Sequence, residues 1–399
     1  MKKTEHKGNK AQDTTERFAF GKNWEAFLTK FSPERLEIAQ QRLLQLLRLQ
    51  NLKNMSFLDI GSGSGLHSLA AWSAGAANVL SFDFDTSSVN ATQSLWEMAG
   101  KPDNWRITQG SVLDAAFMKS LGLFDIVYSW GVLHHTGDTW QAVRNARLPL
   151  SKNGIFCIAL YSKINYQNAS LFGNPTPEEW LQIKQAYNNA SAYKKRFMEY
   201  SEVWRSHLRP YKRNPLRFAR ACIDLSKIIQ GYKKSRGMDF MTDVRDWLGG
   251  WPMDFVEEGA VVRFCKYELG LEALDIITGE GNTEFIFKPS GSSNYWDDFM
   301  EKRTKVILPA SFRHVKGHMW ACPLPDLAAF ADTPEFPRRS QLVLFEDSLH
   351  LYFRHAPHRA IQRLGEGRCN HWQNELFFSS SDNSDPNGNG RVYTAMLWT

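Results

Sequence analysis

Phe57-Leu58-Asp59-Ile60-Gly61-Ser62-Gly63-Ser64-Gly65 is the stretch on which the fold turns. Ser56 to Ile60 has the length and apolar composition of a buried strand, and Leu66 to Ala74 reads as the helix that follows it. Between them lies a glycine turn. Glycine admits positive φ and lets a ligand approach the backbone, and the helix start behind it presents N–H groups without helical partners. A second strand, Val79 to Phe82, ends in Asp83, eighteen residues beyond Gly65. A carboxylate at that strand end accepts ribose hydroxyls. The spacing is G-x-G-x-G led by Asp59, not the G-x-G-x-x-G of a dinucleotide site. Asp59 would repel a pyrophosphate and suits an amino-acid ammonium. No G-K-[ST] follows, which excludes a P-loop.

Outward from this point strands and helices alternate. A helix reads over 87–99, a strand over Trp105–Thr108, a strand over Phe124–Ser129, a helix over about 138–149 and a strand over Ile155–Tyr161. Such alternation predicts a parallel sheet covered by helices on both faces. It stops for about ninety residues, mostly helical, and resumes with a helix near 256–268 and strands at Leu274–Ile277 and Glu284–Phe287. The helical piece, about 165–250, therefore reads as an insertion into the α/β domain. Upstream, a polar tail over 1–17 leads to Phe18, Phe20, Trp24 and Phe27, and Ser32-Pro33 opens a helix that ends near Gln50. Beyond the linker Ser290-Gly291-Ser292-Ser293, short apolar runs at Gln341–Phe345, Leu349–Phe353 and Glu375–Phe378 predict a small β-rich module. The expected division is 1–50, tail and helix; 51–289, catalytic domain with its helical cap; and 290–399, the β-rich module.

The quoted motif resembles that of the class I S-adenosylmethionine-dependent methyltransferases. Asp59 to Gly65 is similar to their first motif and Asp83 to their ribose-binding acid; Gly110-Ser111-Val112-Leu113-Asp114 stands where their adenine loop belongs. Phe124 to Ser129, followed by Val132-Leu133-His134-His135, is similar to their fourth-strand motif. The resemblance implies a Rossmann-like seven-stranded α/β sheet with S-adenosyl-L-methionine as cofactor. Carried over residue by residue, it assigns cofactor contacts to Asp59, Gly61, Ser62, Gly63, Gly65, Asp83, Phe84, Ser111, Val112, Ser129 and Trp130. Ser111 departs from the family, many members of which carry an acid there for the adenine amino group; Asp114 or a backbone carbonyl would replace it. Phe20-Gly21-Lys22-Asn23-Trp24, Tyr128 to Gly137 and Asp246-Trp247-Leu248-Gly249-Gly250 further resemble a bacterial subgroup labelled by likeness to quinone methylases. The region from Leu344 to Pro386 resembles a module of bacterial surface-polysaccharide enzymes.

Methyl transfer to a hydroxyl needs a proton acceptor that works near neutral pH, and histidine suits it. His134 and His135 lie just past the fourth strand, at the edge where open α/β sheets bind ligands, so either is a candidate base. Trp130 and Tyr161 end neighbouring strands and are candidate walls of the acceptor pocket; His67 reads as structural. The insertion should sit over this edge as a substrate cap. From Lys194 to Arg236 it carries thirteen Lys/Arg against three Asp/Glu, whereas the whole chain is only +6. Aromatics interleave from Tyr193 to Tyr232. Either they form the cap's core under a solvated basic face, or the surface meets an anionic partner: a phosphate-linked sugar, an acidic glycan, an anionic membrane surface or, less readily, RNA.

Composition bounds the remaining classes. At 399 residues, 43% hydrophobic and 23% charged, the chain is long and apolar enough for two or three packed domains and excludes disordered and collagen-like classes. Five scattered cysteines without a C-x-x-C pair suggest a reducing compartment and no thiolate metal site. Asp385-x-Asn387-x-Asn389-Gly390 begins like an EF-hand loop, but Met396 stands at its twelfth position, so it reads as a turn and no metal is assigned. With neither a signal-peptide pattern nor a long apolar run, a cytoplasmic location is expected; DNA is not an expected partner. The expected activity is O-methylation of a sugar on a surface-glycan precursor. The alternatives are a quinol or phenol acceptor, or a non-catalytic cofactor- or glycan-binding scaffold.

Overall fold

The computed structural model describes residues 33–163, 166, 175–236, 240–278, 281–297, 304–309, 311–336, 338–347 and 349–397. The aromatic entry around Phe20 to Trp24 lies outside them. Helix α1 (Pro33–Leu47) starts on its proline and buries Leu43, Leu46 and Leu47. The alternating unit follows as β1 (Ser56–Ile60), α2 (Leu66–Ser73), β2 (Asn78–Asp83), α3 (Thr86–Met98), β3 (Trp105–Gln109), α4 (Ala115–Ser120), β4 (Phe124–Trp130), α5 (Thr139–Ala146) and β5 (Leu150–Tyr161). The cap supplies α6 (Pro177–Asn188), α7 (Ala192–Val203), α8 (Pro215–Arg236) and α9 (Phe240–Gly249). Helix α10 (Glu258–Leu269), β6 (Leu271–Thr278) and β7 (Asn282–Pro289) complete the domain.

β1 to β5 pair in parallel in the order β3-β2-β1-β4-β5, and β7 then runs antiparallel between β5 and β6. Side chains alternate across the strands. Leu58 and Ile60 of β1 join a core containing Phe156, Ala142 of α5 and Val261 of α10, while Phe57 joins the opposite core with Leu43 of α1 and Leu69 of α2. Both faces are thus covered, which accounts for the near-continuous apolar strands.

The C-terminal region forms two four-stranded antiparallel sheets from β8 (Thr304–Ile307), β9 (Arg313–Lys316), β10 (Met319–Pro323), β11 (Val343–Glu346), β12 (Leu349–Leu351), β14 (Cys369–Trp372), β15 (Glu375–Phe378) and β16 (Tyr393–Leu397). The remaining strand, β13 (Phe353–Arg354), corrects the seven-stranded expectation. It lies parallel to β6, with Phe353 opposite Ile276, and makes the main sheet eight-stranded. The run Leu349–Phe353, read as one strand, is divided between two sheets. β13 caps an edge that would otherwise present unpaired backbone groups. Next to it, buried Asp275 of β6 accepts from Arg354 at 2.6 Å and from Arg48 at 2.9 Å, while Arg368 reaches buried Glu258 of α10 at 3.0 Å. The C-terminal sheets are therefore fastened to the α/β domain by backbone pairing and by buried ion pairs.

Candidate active site

The glycine loop emerges at the carboxyl edge of β1. Gly61, Gly63 and Gly65 all have positive φ, and the N–H groups of Gly61 and Ser62 both donate to the Phe82 carbonyl. Two of the glycines have no room for a side chain: a Cβ on Gly61 would stand 2.4 Å from Cγ1 of Val132, and one on Gly65 2.9 Å from Cα of Thr92. Asp83, at the end of β2, accepts from the Gly63 N–H at 3.0 Å and the Asp85 N–H at 2.9 Å. It thereby holds the loop against β2, and burial raises its pKa. Phe84 beside it is 58% exposed, an aromatic face at the mouth of the loop.

Asp59 lies beneath the loop, buried. Its carboxylate ends a chain of hydroxyls: the Trp105 indole donates to Ser81, Ser81 to Ser68, and Ser68 to Asp59 at 2.5 Å. Burial raises Asp59 to about 7; the Ser68 bond opposes that shift and nearby Asp83 adds to it. The side chain of Ser129 is spent on the Ile60 carbonyl at 3.0 Å, fixing β4 to β1. Ser111 accepts from the Leu113 N–H, and the carbonyl of buried Val112 is held by Asn145. Asp114 caps α4 by accepting from the Ala116 and Phe117 N–H groups.

The next strand ends face the loop. Trp130 is 41% exposed and its indole donates to Glu284 of β7 at 2.9 Å; Glu284 is also paired with Arg338. The turn after β4 carries the two histidines, and they differ. Among the described residues neither ring nitrogen of His134 has a hydrogen-bond partner; the ring is fully buried 4.4 Å from that of Tyr161. Its pKa is pushed well down by burial, then by His135 and Lys184. His135 is half-buried, and its Nδ1 stands 2.9 Å from the Pro252 carbonyl. A carbonyl accepts only, so Nδ1 carries the proton and the lone pair lies on Nε2. Burial brings His135 down to about 4, the Pro252 contact opposes that and Lys184 adds to it, so the ring is neutral at pH 7. His67, which reads as structural, packs against Tyr128 with ring centroids 5.1 Å apart.

The two ends of the cap meet here. Lys163 donates to the Val256 carbonyl and Val256 to the Tyr161 carbonyl, so residues between them are tied to the end of β5. On the inner side Tyr161, Tyr166, Trp247 and Phe255 form an aromatic group, with Tyr166 stacked on Trp247 at 5.5 Å. Buried Lys184 bonds the Trp247 carbonyl and lies over its ring; burial lowers it to about 7. Sequence reasoning missed Lys184, Tyr166, Glu284 and the Pro252 carbonyl. Nothing local marks them, because each acts across more than sixty residues of chain or within the irregular part of the cap. Trp247 had a signal, in the quoted Asp246 to Gly250 stretch.

Residues 51–220 match a family whose description is "Methyltransferase domain". The ribosomal protein L11 methyltransferase of Shouchella clausii (strain KSM-K16) is 28% identical over 109 residues, 27% of this chain and 35% of the relative. A crystal structure of an S-adenosylmethionine-dependent methyltransferase from Mesorhizobium loti shares 23% identity over 32% of this chain and 55% of its own, with a TM-score of 0.26. PKMT2 from Rickettsia typhi in complex with AdoHcy shares 14% over 72% and 59%, with a TM-score of 0.44. The chain thus spans about a third of the curated relative and a little over half of these structures. The sequence match, the strand order with its antiparallel β7 and the glycine loop agree. What the comparison shows is a match to a methyltransferase domain over residues 51–220, less than half of the chain, and the glycine loop and β1 to β4 lie within that match.

Proposed function

We propose that the chain transfers a methyl group from S-adenosylmethionine to a hydroxyl on an uncharged ring, a phenol or quinol, with His135 as general base. Asp83 would take the ribose hydroxyls and Phe84 an adenine face, with the Ser111-Val112 backbone at the adenine edge and the glycine loop against the amino-acid end. Asp59, occupied by Ser68, would act on an ammonium through the loop it supports. Bound S-adenosylmethionine supplies an electrophilic methyl on a sulfonium. The chain's own work is to place the hydroxyl in line, exclude water and accept a proton at Nε2 of His135. The Pro252 carbonyl holds that ring in the required tautomer.

The observation that carries the acceptor class is the aromatic group packed where the cap meets the end of β5: Tyr161, Tyr166, Trp247 and Phe255, with one buried amine of depressed basicity. Among the described residues the exposed cations Lys194, Arg196, Lys212, Arg213, Arg217 and Arg220 lie on α7, α8 and the turn between them, and none belongs to that aromatic group. A sugar hydroxyl on a surface-glycan precursor is the second reading, favoured by the same stacked Tyr166–Trp247 pair, since aromatic faces also receive the apolar face of a sugar ring.

The test begins with calorimetric titration of S-adenosylmethionine into the wild type and Asp83→Ala. Micromolar binding lost in the variant supports the cofactor site. Absence of wild-type binding, with and without acceptors present, overturns the reading. Methyl transfer to dihydroxyphenols and to glycosides then decides between the acceptors.

A further inference from the structure

We propose that the outer face of α7 and α8 is a docking surface for an anionic lipid bilayer. The inference rests on the placement of side chains and is independent of the acceptor. The aromatics of α7 do not form the cap's core, which is built from Trp180, Tyr187, Leu248, Met253 and Phe255. Tyr193, Phe197, Tyr200 and Trp204 instead recur at intervals of four, three and four along α7 and into the turn after it. That spacing puts them on one helical face. All four are exposed, Tyr193 by 86% and Phe197 by 67%. Helix α8 continues the surface. Phe218, Ala221 and Leu225 face its neighbours, while Leu216, 83% exposed, and Ile223 stand two turns apart on the opposite side. Arg220 and Lys227 share that outward stripe.

The charge around these positions has one sign. Lys194, Arg196, Lys212, Arg213 and Arg217 are exposed, and the segment's three carboxylates are each held locally: Glu199 by Arg245 and Tyr187, Glu202 by Arg205, Asp224 by Arg220. Three properties therefore coincide: a stripe of Tyr, Phe and Trp, branched aliphatics on a water-facing helix, and a local excess of ten positive charges in a chain of +6. The headgroup region of an anionic bilayer accommodates all three. Aromatic rings sit at its polar boundary, aliphatic side chains reach the acyl chains, and Lys and Arg meet the lipid phosphates. Single-stranded nucleic acid has use for the aromatics and cations but not for Leu216 and Ile223. A second copy would set two strongly positive faces against each other. Among the described residues no helix is long and apolar enough to cross a membrane, so the contact is peripheral.

The test is co-sedimentation of the full chain with phosphatidylcholine vesicles, plain or containing about one third phosphatidylglycerol, at low and high salt. The wild type is expected to bind the anionic vesicles only, and less at high salt. Reversing three cations in K212E/R213E/R217E should weaken binding on the order of 100-fold or more. The pair Y193S/F197S should weaken it roughly tenfold, by removing apolar area that enters the interface. Both variants should bind S-adenosylmethionine as the wild type does, which controls for folding. Absence of binding to anionic vesicles, equal binding to plain ones, or wild-type binding by both variants overturns the proposal. Tight single-stranded RNA binding without vesicle binding assigns the face to nucleic acid and also overturns it. Because vesicle binding is read without cofactor or acceptor, its failure is distinguishable from failure of the methyltransferase reading.

Discussion

Replacing Gly61 by alanine tests the physical account of the glycine loop most directly. Two costs add at this residue. Its φ of +74° places any Cβ in the left-handed region, at about 1–2 kcal/mol. That Cβ also stands 2.4 and 2.6 Å from the two γ-carbons of Val132, where carbon atoms normally rest about 3.5–4.0 Å apart. Relieving such an overlap costs about 1–3 kcal/mol in a packed site. Gly61→Ala should therefore destabilise the protein by about 2–5 kcal/mol, read as a shift in the urea midpoint at constant m-value. The two terms separate in a double-mutant cycle. Val132→Ala removes the two closest clashing atoms, the γ-carbons, and leaves the Val132 Cβ at 2.9 Å and the backbone conformation unchanged. Alone it should cost about 1 kcal/mol, at the low end for a partly exposed valine. In the Gly61→Ala background it should be neutral or stabilising, a coupling of about 1–3 kcal/mol. The residual loss in the double variant is then the φ term together with the remaining 2.9 Å contact to the Cβ of residue 132. Additivity of the two substitutions would refute the clash, and a Gly61→Ala variant as stable as wild type would refute both terms. The same variants titrated with S-adenosylmethionine show whether loop shape and cofactor affinity move together.

Three further outcomes follow from the geometry. His135, held neutral by burial with a pKa of about 4, binds fewer protons folded than unfolded between about pH 6.5 and 4, so its contribution to stability is intact above 6.5 and lost as pH falls through that window; His135→Gln should remove about 2–3 kcal/mol of that acid-side loss, and wild-type kcat/KM should hold below pH 6 and fall only toward 4, whereas a fall centred near 6.5 would refute the buried neutral base. Ser68→Ala strips Asp59 of its hydroxyl donor and should cost about 1–3 kcal/mol in denaturant unfolding; an unchanged midpoint would mean that the Trp105–Ser81–Ser68 chain is not holding the carboxylate. Arg354→Met leaves buried Asp275 with a weaker counter-charge and should cost about 3–5 kcal/mol; a loss under about 1 kcal/mol would show that this ion pair does not fasten the C-terminal sheets to β6.

Local patterns were enough to read the β1–loop–α2 unit, the alternation through β5 and the return at α10–β6–β7. They are carried by apolar runs, glycine conformations and helix starts within a few residues of one another, and such preferences survive in any tertiary context that keeps the strand buried on both faces. Asp83 and the histidine turn were legible for the same reason, because each follows a strand whose end is marked in the sequence. The short C-terminal strands were harder: β9 is Arg313-His314-Val315-Lys316, polar and edge-like, and only its pairing with β10 makes it a strand. What the tertiary structure alone decided depends on partners distant along the chain. The hydrogen-bonded ring of His135, as against the unbonded ring of His134, rests on the Pro252 carbonyl, 117 residues away from His135. The eighth strand exists because β13 meets the open edge of β6, and the buried charge of Asp275 is tolerable only where Arg48 and Arg354 converge on it. The aromatics of α7 have a helical spacing that serves equally for a core or a docking face. The fold leaves them exposed and builds the cap's core from other residues, because periodicity specifies a face and only the fold specifies what that face meets.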